Sequence, residues 1–335
     1  MTQKKISILV LVTAPLWAGC MMEMEVPEDE NIGVVYQPSQ QSNDSIVNGR
    51  HMNGRHMNGE KLNSARRGAR SVSDAAFSQT KFSGVEDGTL IEGNDFVDVE
   101  FDTELDDLSN VTIKIENITA SGKPGLEFYD IKYYDNGSWY NICDNGEKAF
   151  PVHGRWNKTT AAHSDDGNWF TFACRGAALA KCVEFGYPQW GEADETYNSV
   201  TKTRSLRKWH QACTRMVRAD YCGDGTSHTE DGTTIDVWDA LDIMTEDTNY
   251  NEPFEAEWGP NGGDCIDHTR WEDSATTTPA ADYIDANCPS RWASNQTPNN
   301  CGQSGSDFFA ANNFADDLTG RPLLRNKSAN NLRNP

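Results

Sequence analysis

Eight cysteines between positions 143 and 301 constrain this chain more than any other feature. Cys143, Cys174, Cys182, Cys213, Cys222, Cys265, Cys288 and Cys301 form an even set. In an oxidising compartment an even set closes into four bridges and leaves no thiol over. The connectivities are too numerous for spacing to choose among them, and Cys174 with Cys182 and Cys213 with Cys222 are local candidates only. No Cys-x-x-Cys pair occurs, so neither a zinc ribbon nor a thioredoxin-like centre has support. A catalytic cysteine would strand a second thiol.

Whether such bridges form depends on the compartment, and the N-terminus speaks to that. Lys4 and Lys5 precede an apolar stretch over residues 6–16, and Ala18-Gly19-Cys20 follows at once. This layout predicts a secretory signal over 1–19, too short for a membrane span. The small pair before Cys20 resembles the bacterial lipobox. That resemblance implies a diacylglycerol-modified Cys20, and Met21 in place of Asp implies an outer-membrane lipoprotein of the bacterial envelope. The alternative is a plain signal peptide with a structural Cys20.

The rest of the chain divides by composition. Asp and Glu number 51 against 29 Lys and Arg, a net charge of −22, which argues against a nucleic-acid partner because phosphate contact needs concentrated positive charge. Residues 20–81 have the composition of a flexible tether, rich in Ser, Asn and Gln. Within it a five-residue repeat begins at Asn48, Asn53 and Asn58, and Arg50, Arg55, Lys61, Arg66, Arg67 and Arg70 make the stretch basic. Those cations suit either a solvated stalk or contact with anionic head groups near the anchor. The folded domain is expected over 82–292 and a polar tail over 293–335.

Inside the domain, residues 97–101 and 111–115 alternate apolar and polar side chains, as half-buried strands do. Residues 128–134, 139–143, 169–174 and 233–238 are further strands by their aromatic and β-branched content. Asp135-Asn136-Gly137 reads as a hairpin turn. One helix is expected over 203–219, where Leu206, Trp209, Cys213, Met216 and Val217 recur at helical spacing. It lies in a positive island: Lys202, Arg204, Arg207, Lys208, Arg215 and Arg218 fall in a stretch without any acid. The fold class is α+β, predominantly antiparallel β (meander or sandwich), with one main amphipathic helix and disulfide stabilisation.

Residues 215–225, Arg-Met-Val-Arg-Ala-Asp-Tyr-Cys-Gly-Asp-Gly, followed by Thr229, Asp231-Gly232 and Ile235-Asp236, resemble the defining stretch of the bacterial ADYC-domain family. Phe172-Ala173-Cys174-Arg175-Gly176-Ala177, Lys181-Cys182 and Gly186-Tyr187-Pro188-Gln189-Trp190 are similar to its upstream block. The resemblance implies an exported, cysteine-containing bacterial domain and no particular activity. Arg215, Arg218, Ala219, Asp220, Tyr221, Cys222 and Asp224 are its motif residues here.

Two chemistries remain open for that segment. Asp220, Asp224, His228 and Asp231 could ligate a divalent cation, although their spacing is not that of an EF-hand, and turn-forming structure explains the same residues. No other cofactor is expected. A carboxylate pair, Asp220 or Asp224 with Glu184, Asp239 or Glu257, could hydrolyse glycosidic bonds with tryptophans as sugar platforms. No Gly-x-Ser-x-Gly, His-Glu-x-x-His or Walker pattern is present. The leading reading is a membrane-anchored structural or binding module facing an envelope protein or glycan. A secreted hydrolase and a cation-stabilised adhesin are the alternatives.

Overall fold

A computed structural model describes residues 59–105, 108–143, 146–157, 159–165, 169–229, 232–273, 279–296, 321–329 and 332–333, with residues 301 and 318. The signal segment, Cys20 and the first two repeat units lie outside the described residues.

Alternation of buried and exposed side chains builds a large antiparallel sheet. Six strands follow one another in pairing order and in chain order: Glu60–Arg67, Glu100–Leu105, Asn110–Ala120, Glu127–Asp135, Ala149–His153 and Trp169–Cys174. The last pairs back onto the first through Glu60 opposite Phe170 and Lys61 opposite Trp169, so the meander closes into a barrel. Closure removes the open edges that an extended sheet would expose. Beyond this seam the first strand passes its edge to Arg70–Ser78, which continues through Lys81–Glu86 to Thr89–Glu92. Phe82, Phe96, Phe101, Ile113, Tyr129, Phe150 and Phe172 fill the interior, each at most 1% exposed. Ser138–Asn141 forms a hairpin with Glu127–Asp135, and Asn136 and Gly137 both have positive φ, as the expected tight turn requires.

A second core gathers around helix α2 (Arg207–Val217), which follows the shorter α1 (Ala178–Glu184). Strands Ile235–Asp239, Leu324–Ser328, Phe254–Gly259 and Gly262–Ile266 form a four-stranded antiparallel sheet in that order. Every α2 residue from Trp209 to Val217 is buried. Helix α3 (Ala280–Asn287) completes the three helices among the described residues. The chain is thus α+β and mostly antiparallel β.

Several boundaries differ from the expectation. The tether does not extend to residue 81, because residues 60–67 and 70–78 are strands. Their arginines are paired with acids of neighbouring strands. Arg66 pairs with Glu100 at 2.9 Å and Asp102 at 2.6 Å, while Arg67 and Arg70 pair with Glu86. A strand whose outer face is neutralised by its neighbour's acids looks like a polar tether in composition.

The tail is likewise not all tail. Leu324–Ser328 is an inner strand whose polar side chains are buried in bonds: Asn326 accepts from Trp258 Nε1 at 2.7 Å and Arg325 pairs with Glu257 at 2.8 Å. The helix starts at Arg207 rather than 203, because Val200–Ser205 is a strand paired with Glu192–Tyr197. Val200, Thr201 and Thr203 are β-branched and favour that state. Of the expected 97–101 strand only the end is strand: it begins at Glu100, after a 3-10 turn over Gly93–Phe96.

All eight cysteines pair: Cys143 with Cys174, Cys182 with Cys213, Cys222 with Cys288 and Cys265 with Cys301. Neither local candidate pair forms. Cys174 ends a barrel strand whereas Cys182 lies on α1, and Cys213 faces α1 from the middle of α2. Each half of a local pair therefore points to a different neighbour.

Candidate functional site

The segment from Arg215 to His228 begins where α2 stops. Ala219 N–H donates to the Met216 carbonyl at 3.0 Å and Asp220 N–H to the Arg215 carbonyl at 2.9 Å, with Ala219 at φ +51°. These two bonds define a Schellman end, in which the left-handed position usually falls to glycine. Here an alanine occupies it and its methyl is fully buried.

Asp220 is then carried straight into the interior, 0% exposed. Its Oδ2 accepts from Arg215 Nη1 and from Gly225 N–H at 3.0 Å, and its Oδ1 accepts from Asp224 N–H at 3.1 Å. Burial raises its pKa above the ordinary carboxylate value, with Arg215 opposing the shift. The Arg215 guanidinium also donates to the Thr160 carbonyl at 2.7 Å and the Pro260 carbonyl at 3.3 Å, so one ion pair ties three chain segments together. Arg218 Nη2 donates to the Gly225 carbonyl at 2.6 Å. Gly223 and Gly225 have positive φ, and a Cβ at either would overlap a neighbouring carbonyl, of Asn261 and Thr159 respectively. The loop's glycines are therefore required by close packing of backbone on backbone.

Tyr221 enters the second core. Its hydroxyl donates to Glu255 Oε1 at 2.9 Å and accepts from Arg270 N–H at 3.0 Å, and its ring stacks on Trp258 with centroids 5.3 Å apart. Glu255 and Arg270 are a fully buried pair at 2.7 Å, and Asn326 Nδ2 donates to Glu255 Oε2 at 2.6 Å. Burial acts to raise the Glu255 carboxyl, and Arg270 overrides it and leaves the pKa lowered. Burial pushes the Tyr221 hydroxyl well above the ordinary phenol range. Cys222 follows and bridges to Cys288 at the end of α3.

Asp224 accepts from the Tyr283 hydroxyl at 2.7 Å and from Thr226 N–H at 2.9 Å. The His228 ring lies 4.8 Å from that of Tyr283, and burial pushes its pKa down to about 4 against the pull of Asp224. Asp231 lies outside the described residues. Asp220 and Asp224 thus direct their oxygens to protein donors, and among the described residues no group of three or more acids, histidines or cysteines is placed to hold a metal.

The carboxylates available to a hydrolytic pair are similarly engaged. Glu184 pairs with Arg175 at 2.6 Å and Glu257 with Arg325. Asp239 accepts from the Tyr187 hydroxyl at 2.6 Å and from Met244 N–H at 2.8 Å, and burial raises it to about 6. Trp156, Trp209 and Trp258 are sealed in the cores.

Of the positive island, Arg204 pairs with buried Glu195, which also holds Arg321, and Arg207 pairs with Asp165. Glu255, Arg270, Asn326, Arg321 and Tyr283 were not foreseen as partners. They lie 15 to 126 residues from the groups they bind, and no local pattern announces a contact that only the tertiary fold creates.

The four motif letters therefore have four structural tasks: a helix stop, a buried ion pair, an anchor into the second sheet and a bridge to α3. Neither the curated proteins nor the solved structures yield a match to this chain. The family model of the ADYC domain matches residues 93–272, more than half of the sequence and the whole of this segment. The chain belongs to the ADYC-domain family.

Proposed function

We propose that this protein is an exported bacterial envelope lipoprotein, anchored through Cys20 in the outer membrane, whose folded part is a disulfide-bonded structural or binding module for an envelope protein or glycan. The observation that carries this reading is the completeness of the cysteine pairing: all eight cysteines after Cys20 stand in bridges. Such a set belongs to an oxidising compartment, and it leaves Cys20 as the single thiol for lipid. The inward-facing motif side chains support a framework role for the ADYC segment and leave recognition to other surfaces.

Intact-mass analysis and membrane fractionation of protein from its native host test the reading. A Cys20-initiated chain carrying diacylglycerol that sediments with outer membranes is expected. A soluble chain with unmodified Cys20 would contradict it.

A further inference from the structure

The barrel forks at its first strand. The strand Glu60–Arg67 pairs with Trp169–Cys174 through residues 60 and 61, then with Arg70–Ser78 through residues 65–67, and the sheet parts between the two. Both strands are irregular there. The first shifts register between Leu62 and Ser64, the second between Ser73 and Ala76, and Asp74 is held at φ +51°. Bulges and left-handed non-glycine residues concentrate beside functional sites because they re-aim side chains at some cost in strain.

A cavity of about 340 Å³ opens at this fork. Its floor is the first core, through Phe82 and Phe170, both at most 3% exposed. Phe77 stacks on His153 with centroids 4.4 Å apart and meets Phe170 edge-on at 5.5 Å, so three aromatic rings turn toward one space. Ala75 and Ala76 keep one wall low. At roughly 30 Å³ per heavy atom in a liquid, the volume suits a body on the order of ten heavy atoms, within the range of small-ligand sites.

The rim carries positive charge in a chain that is otherwise strongly acidic. Lys61 lines the cavity and makes no ion pair within 4 Å among the described residues. Arg155 lies over the Trp169 ring at 4.7 Å. The His153 imidazole makes no side-chain hydrogen bond among the described residues and lines the same wall. Among the described residues no acid lines the cavity. An apolar body would sit on the rings while an anionic end met Lys61 and a polar atom met His153.

We propose that this fork is a binding site for a small organic anion with an apolar body, a compact aromatic or medium-chain carboxylate. The site rests on the reading of the chain as a binding module, and it is independent of the lipid anchor.

The test uses the mature protein with its disulfides intact, titrated calorimetrically with 2-naphthoate, decanoate and the uncharged 2-naphthalenemethanol. At least one acid should bind one equivalent saturably, with a Kd below about 1 mM. Lys61→Met should weaken that acid about tenfold while changing the alcohol less than about twofold. Ala75→Phe should remove binding of both. Ala76→Trp, at an exposed position, serves the same purpose if Ala75→Phe melts early.

Absence of saturable binding by both acids to natively melting protein would overturn the site, as would an unchanged affinity in the cavity-filling variants or an unchanged ratio of acid to alcohol in Lys61→Met. Fractionation of Cys20 lipoprotein is read on a separate sample, so failure of the anchor and failure of the pocket are distinguishable.

Discussion

Glu60 sits at the seam that closes the barrel, with one oxygen accepting from Phe172 N–H at 3.3 Å and no charged partner among the described residues. Burial raises its pKa to about 8. The fold thus favours the protonated acid, whose contribution is full below the ordinary value near 4.5 and is lost as pH rises toward 8. Glu60→Gln, a neutral isostere, should melt close to the unmodified protein at pH 4.5. It should be the more stable of the two at pH 8, by about 3–5 kcal/mol. Thermal melts across this range measure the gap, and a gap that does not widen with pH would refute the assignment.

Arg215 and Asp220 give the opposite case, a buried charge that has its partner. Arg215→Ala should cost roughly 3–5 kcal/mol because Asp220 stays buried without its cation. Arg218→Ala, which loses the bond to the Gly225 carbonyl, should cost about 1–3 kcal/mol. Lys202→Ala, on a partly exposed hairpin strand, should cost no more than about 1 kcal/mol. Chemical denaturation of the three variants checks the order, and Lys202→Ala melting as early as Arg215→Ala would contradict it.

The end of α2 shows why a helix stop can carry an alanine. The left-handed conformation costs an alanine about 1 kcal/mol relative to glycine, and burying its methyl returns about 0.8 kcal/mol. The two nearly cancel, so Ala219→Gly should change stability by less than about 1 kcal/mol. Ala219→Val should destabilise by several-fold more, since a β-branched side chain both resists positive φ and overfills the site. Equal melting of the two variants would mean that Ala219 does not hold the left-handed position.

Element boundaries were legible where one local rule decided them. Asn136-Gly137 fixed its turn, and the alternation of Val111, Ile113 and Ile115 fixed its strand. They were illegible where a distant partner decided them. Residues 60–67 look like a tether because Arg66 is neutralised by Glu100 and Asp102 and Arg67 by Glu86, and Leu324–Ser328 looks like a tail because Asn326 and Arg325 find their acceptors in another strand. At the ADYC segment the sequence singles out the motif residues, yet the contacts of Tyr221 and Asp224 are with Glu255, Arg270 and Tyr283, which no spacing connects to them.

For the whole molecule, two cores and four bridges work together. Cys182–Cys213 joins α1 to α2, Trp156 Nε1 donates to Gln211 on α2 at 2.9 Å, and Cys222–Cys288 ties the segment after α2 to α3. Loss of a native bridge costs about 2–5 kcal/mol in small secreted domains, so reduction should lower the melting temperature and loosen α2 and the segment after it. The ADYC family match ends at residue 272, whereas the second sheet includes Leu324–Ser328. Deleting residues 321–335 should therefore unfold the second core rather than trim a tail. Native-like melting of that truncated chain would contradict the inner position of this strand.

The central claim, a disulfide-closed exported module, is tested most directly by peptide mapping of the mature protein purified without reductant, with thiols blocked before denaturation. Linked peptides should report Cys143 with Cys174, Cys182 with Cys213, Cys222 with Cys288 and Cys265 with Cys301, and no free thiol among the eight. A reproducibly reactive cysteine in this set, or bridges between Cys174 and Cys182 or Cys213 and Cys222, would contradict it.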